Sequence, residues 1–178
     1  MNWHIPKNLS FENALQLTET LLEAMVEKHL KDYEVEEMIT TLVSSQNGAR
    51  GFFVIYLTSH LSLSDHPSEE VINALKTSPD IVSELLVKNL AMSSAMAITH
   101  RRNNDEKKAQ GSDQVFQRTS NLIQQMDLEL IKQKLEQLKQ TIVEDEGNYK
   151  RFLDKWGYDQ EQKTIIKNNI EQLLSNKN

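Results

Sequence analysis

Apolar side chains recur at helical spacing along almost the whole chain. Phe11, Ala14, Leu15, Leu21, Leu22, Met25 and Val26 alternate with Glu12, Glu19, Glu23 and Glu27 on other faces. This pattern predicts a first helix from about 11 to 30, with the Ser10 hydroxyl accepting from an amide of its first turn. Lys31-Asp32 interrupts it, and Val35, Met38, Ile39, Leu42 and Val43 mark a second helix. Asn47-Gly48, followed by Gly51, is the strongest turn signal in the sequence. The next stretch, 52–63, begins FFVIYL and would suit a buried strand in isolation. It lacks a second strand-like run to pair with, and an unpaired strand leaves its backbone groups unsatisfied, so a buried helix is expected. Ser68 then starts a short helix to about 76, after a turn over Asp65-His66-Pro67.

Residues 80–100 read DIVSELLVKNLAMSSAMAITH and contain neither glycine nor proline. Ile81, Val82, Leu85, Leu86, Val87, Leu90, Met92, Met96 and Ile98 cover most of a helical wheel, which predicts a helix buried on most sides. Ser78 caps it and Pro79 takes its first position, where a missing amide costs nothing. Arg101–Ser112 is polar and includes Gly111, so an exposed loop or frayed extension is expected there. A long helix follows from about 113, and Leu128, Ile131, Leu135, Leu138 and Ile142 keep 3,4,3,4 spacing, a coiled-coil-like seam. Residues 149–156 form a short helix stopped at Gly157, and a last helix carries Ile165, Ile166, Ile170, Leu173 and Leu174.

The fold class is therefore all-α: a multi-helix bundle around a buried central helix (79–100) with a C-terminal antiparallel helical hairpin. We expect one helical domain over 1–178, with a core at about 10–125 and a hairpin at about 126–175. That hairpin either packs on the core or pairs two chains through the seam. Five glycines and three prolines in 178 residues support long, rarely interrupted helices. Zero cysteines excludes disulfides and thiol chemistry and fits a reducing, cytoplasmic setting. The N-terminus lacks the basic start and apolar run of a signal peptide, and no uncharged run approaches the ~20 residues of a membrane span. Net charge is −6, and residues 1–37 hold three lysines against eight acids. Such a chain would be repelled by a phosphate backbone, which disfavours nucleic acid as a partner.

No residue constellation carries a strong catalytic signal. The histidines His4, His29, His60, His66 and His100 never fall three or four residues from one another or from a preceding glutamate at ligand spacing, so no metal and no cofactor is expected. Ser59-His60, Ser62, Ser64 and Asp65 supply the residue types of a hydrolytic triad without a glycine-shaped nucleophile elbow, and local backbone capping explains them more simply. Glu36-Glu37 and Glu69-Glu70 sit near helix starts, where acids favour the dipole. Three places remain as candidate contacts. His100, Arg101 and Arg102 form a basic patch able to meet an anionic partner or to cap the helix. Lys88 and Asn89 would make an internal polar site if buried, beside Met92 on the helix that ends at His100. Leu128, Ile131, Leu135, Leu138 and Ile142 offer an oligomer seam. The residues point away from an enzyme and toward a helical interaction protein with a protein partner, possibly a second copy of itself. A small-molecule pocket at the central helix and a nucleic-acid regulator using 100–108 are the competing readings.

Overall fold

The structure is a computed structural model and describes residues 9–175; His4 lies outside them. The described residues form nine α-helices and one 3-10 turn, with no strand. The all-α expectation therefore holds, including a helix rather than a strand at FFVIYL. Two compact units meet inside one helix, between Leu85 and Leu86.

The first unit contains α1 (Phe11–Val26), α2 (Asp32–Val43), α3 (Gln46–Thr58), a 3-10 turn (Ser62–Ser64) and α4 (Glu69–Lys76). The Ser10 hydroxyl accepts from the Asn13 amide at 3.1 Å, as its position predicts. The helix stops at Val26, short of residue 30, and Lys28 takes a left-handed φ of 56° to turn the chain. Helix α3 packs on α1 and α2, and α4 packs on α2.

The turn expected at Asn47-Gly48 is not there: both residues and Gly51 lie inside α3, whose N-cap is Ser45. The glycines serve close packing instead. A Cβ on Gly51 would stand 2.4 Å from the Ala14 Cβ and 3.0 Å from its backbone carbon, so α1 and α3 touch where neither has bulk. The next turns of α3 bury Phe52, Phe53 and Tyr56. Phe52 stacks on Tyr56 at 5.1 Å and meets Phe53 edge-on at 5.4 Å. The helix ends at Thr58 rather than 63, and the Tyr56 hydroxyl donates to the Leu63 carbonyl at 3.3 Å.

Helix α5 (Pro79–Arg102) is the buried central helix that the sequence predicts. Val82, Leu86, Val87, Leu90, Ala91 and Ala95 are all fully buried. By length and composition it could also cross a bilayer, but 56% of its most apolar window is buried inside the protein, as in the core helix of a globular domain.

The second unit comprises the rest of α5 with α6 (Glu106–Met126), α7 (Glu129–Glu144), α8 (Lys150–Trp156) and α9 (Gln160–Ser175). The expected loop over 101–112 is reduced to residues 103–105. Asp105 caps α6 by accepting from the Lys108 amide at 3.1 Å, so the polar stretch that follows, Gly111 included, is helix. Helix α6 ends at Asp127 in the left-handed conformation, with φ 46°. Gly157 ends α8 with φ 61°, as its position predicts.

The C-terminal hairpin forms within one chain. Helices α7 and α9 pack together. They run antiparallel: Ile131 near the start of α7 shares a cavity with Leu174 at the end of α9, whereas Lys163 at the start of α9 reaches Asp145 just beyond α7 at 3.5 Å. The seam residues Ile131, Leu135 and Leu138 are at most 1% exposed, and Ile166 and Ile170 of α9 are fully buried. Leu128 and Ile142 at the two ends of the seam are half-buried.

Candidate functional site

The seam begins in an open groove. Where α6 turns into α7, Ile123, Leu128, Ile131 and Leu135 meet Leu173 and Leu174 from the last turn of α9 around a cavity of about 350 Å³. That is within the ~300–1,000 Å³ range of ligand-sized clefts. Gln124, Asp127 and Lys132 stand at its rim. The Lys132 ammonium lies 3.0 Å from Asp127 and 3.6 Å from Glu129, so two carboxylates share one cation there. Leu128, Leu173 and Leu174 are half-buried, whereas Ile131 and Leu135 form the closed floor. The groove exists because Asp127 and Leu128 break the backbone between α6 and α7 just where the seam starts. The heptad spacing that suggested an oligomer seam thus splits in two. Its middle closes against the chain's own α9, and its first layers line a surface that another molecule could fill. A second cavity, of about 400 Å³, lies at the other end of α7 among Gln137, Gln140, Glu144 and Asn148.

The basic patch is a junction rather than a bare cationic surface. Arg101 donates to Asp113 at 2.6 Å and to Glu106 at 3.2 Å, tying the end of α5 to α6. Arg102 donates to Asp159 at 2.5 Å and to Glu161, tying it to the start of α9. These carboxylates raise both guanidinium pKa values further above their ordinary range. In return Arg102, and then the Gln162 amide, hold Asp159 below the usual carboxylate range. The His100 carbonyl accepts from the Asp105 amide at 2.9 Å in the turn into α6.

Lys88 and Asn89, where an internal polar site was expected if they were buried, are both half-buried on α5. Lys88 is half-buried, with its ammonium 5.7 Å from the centre of the Phe152 ring. The Asn89 carbonyl accepts from Ser93. Neither of the two cavities above is lined by Lys88, Asn89, Met92 or His100.

The polar contacts that organise this unit belong to residues the sequence reading did not single out. Buried Gln162 donates from its side-chain amide to the Ala95 carbonyl at 3.1 Å and the Thr99 hydroxyl at 2.9 Å. Asn169, two turns on, donates to the Ser94 hydroxyl at 2.9 Å. The run of small residues at 91–97 therefore lets α9 come close enough for amide side chains to reach the backbone of α5. A signal was available: Asp159-x-x-Gln162 is a capping box, and its reciprocal bonds are present at 3.0 and 3.1 Å. Among the described residues no group of three or more acidic or histidine side chains is placed to hold a metal ion.

Residues 10–173 match the model of the family described as Uncharacterised conserved protein UCP020893, and the chain belongs to that family. Neither a curated protein nor a solved structure matches it.

Proposed function

We propose that this chain is a non-enzymatic interaction protein that works in the cytoplasm by seating part of another macromolecule in the groove between α7 and α9. The observation that supports this reading is the shape and chemistry of that groove. It is an apolar cleft bounded by two packed helices, with charged groups confined to its rim, and protein interfaces share this arrangement of apolar centre and polar edge. Its half-buried leucines are positioned as anchors, and burying one such side chain fully contributes ~1.5–3 kcal/mol. A small apolar ligand is the competing occupant, favoured by a volume that suits one.

Site-specific photocrosslinking in the native host separates the two. A photoreactive residue at position 174 in the groove is compared with one at the exposed position 50 on α3. A protein-sized adduct from 174 and none from 50 is the expected result. Co-purified small molecule without a protein adduct would turn the reading to the ligand-binding class. Identical adduct patterns from both positions would remove the groove from consideration.

A further inference from the structure

We infer that α9 is a releasable strap: it leaves α5 and α7 as one cooperative unit while α6 stays folded, and its release uncovers the seam of α7. Release does not depend on what fills the groove. Three observations single out α9. First, its apolar hold is small. Of its 16 residues Gln162, Ile166 and Ile170 are buried, whereas α1, of the same length, buries five and α7 buries Ile131, Leu135, Leu138 and Thr141. Release therefore exposes chiefly two fully buried isoleucines, against the whole core in global unfolding, and elements with so little buried apolar surface open below the global free energy. Second, its attachments to α5 are polar ones that water can replace. Gln162 donates to the Ala95 carbonyl and the Thr99 hydroxyl, and Asn169 donates to the Ser94 hydroxyl. Arg102 pairs with Asp159 and Glu161 in exposed positions. Such hydrogen bonds exchange for bonds to water on opening, and exposed pairs contribute little. Third, both ends of α9 are built to give. Gly157 in the connector has φ 61° and open space around its α-carbon, so the chain can turn there. In the last turn, Leu173 and Leu174 line the open cavity of about 350 Å³ instead of closing on the seam. The groove floor and the closed seam are one row on α7, so release extends the apolar lining from Ile131 to Leu138. A lone helix of this length is marginal in water, so the amides of α9 lose protection as it leaves.

The chain has no cysteine, so a single introduced thiol reports on one position. Ile170→Cys on α9 is compared with Leu122→Cys on α6, both at fully buried positions of the second unit. With excess thiol reagent in native buffer, Ile170→Cys should be labelled at least about ten-fold faster than Leu122→Cys. Asn169→Ala removes one bond to α5, while Ser94 keeps its own bond to the Leu90 carbonyl. Added to each variant, it should speed labelling at 170 roughly five-fold and leave labelling at 122 unchanged. Amide exchange of the unaltered chain keeps the test independent of any damage done by Ile170→Cys. The amides of α9 should open together, with one shared free energy, while those of α6 stay protected. Equal labelling at 170 and 122 overturns the inference, as does an Asn169→Ala effect of the same size at both. So does protection of α9 that lasts as long as that of α6, or that is lost residue by residue from the last turn inward, which is fraying and not release.

Discussion

Two ways of joining helices coexist in this chain: apolar packing, which joins α1 to α3 and α7 to α9, and long polar side chains, which bridge helices of the second unit. In the first unit α1 and α3 meet at Gly51 and Ala14, where the absence of side chain lets backbones approach, and the aromatic trio on α3 fills the space beside them. In the second unit long side chains span the gaps. Arg101 and Arg102 reach carboxylates on α6 and at the start of α9, while Gln162 and Asn169 reach across to α5. The first kind of contact is dispersion and apolar burial, insensitive to salt and pH. The second is partly charge in water, where each pair contributes little and screening weakens it. Stability in the two units should therefore respond to different perturbations.

The largest effect is expected where apolar burial in the second unit is removed outright. Leu135→Lys with Leu138→Lys places two charges in the closed part of the α7–α9 seam. The chain should lose its helical signal and thermal transition, since an unpaired buried charge costs several kcal/mol. If the variant is instead a folded monomer while the wild type is a dimer, the seam joins chains and the hairpin described here is wrong.

A matched pair of glycine substitutions sharpens the contrast. Gly51→Ala must push α1 from α3 and should destabilise by ~1–3 kcal/mol despite the better helix propensity of alanine. Gly111→Ala, in a helical position with nothing within 4 Å of the added carbon, should stabilise by up to ~1 kcal/mol. Denaturant melts of the two variants check both signs. Equal effects would mean that Gly51 is not a packing contact.

Gln162→Leu removes two bonds to α5 and one half of the capping box, leaving the Thr99 hydroxyl with a poorer set of partners. A loss of ~1–3 kcal/mol is expected, and Gln162→Glu should not restore it, because a carboxylate cannot donate to the Ala95 carbonyl. Arg101→Ala with Arg102→Ala is the smallest perturbation. These exposed pairs should shift the melting temperature slightly at low salt and not measurably at high salt. A salt-independent drop would show that the guanidiniums do more than form surface pairs.

The same contrast explains what was legible beforehand. Periodicity of 3.6 marked most of the helices, although it ran α6 and α7 together as one long helix from about 113, and the near-continuous apolar wheel of 80–100 marked the central one, because apolar burial leaves a periodic trace. Gly48 and Gly51 misled because glycine is equally the residue of turns and of tight helix contacts, and only the partner helix distinguishes them. Residues 101–112 read as a loop because a helix held by ion pairs and a cap at Asp105 is as polar as a solvated linker. The 128–142 seam was visible in spacing alone, but its pairing with α9 and the groove left at its start depend on where two distant helices end. Gln162 carried a recognisable capping pattern, yet its reach to Ala95 depends on small residues 67 positions away in sequence.

Acid separates the two modes of joining most directly. Asp159, held down chiefly by Arg102, and Asp145, held down chiefly by Lys150, both have folded pKa values below the ordinary one. A lowered carboxylate pKa contributes stability that is present above the unfolded value of ~3.9 and lost as pH falls through the folded value. Amide hydrogen exchange followed by mass spectrometry, from neutral pH down through pH ~4 and below with rates corrected for intrinsic exchange, reads each helix separately. The α5 C-terminal turns and the start of α9 should lose protection first, while α1 and α3 keep theirs. Loss in α1 and α3 before or together with α9 would contradict the account.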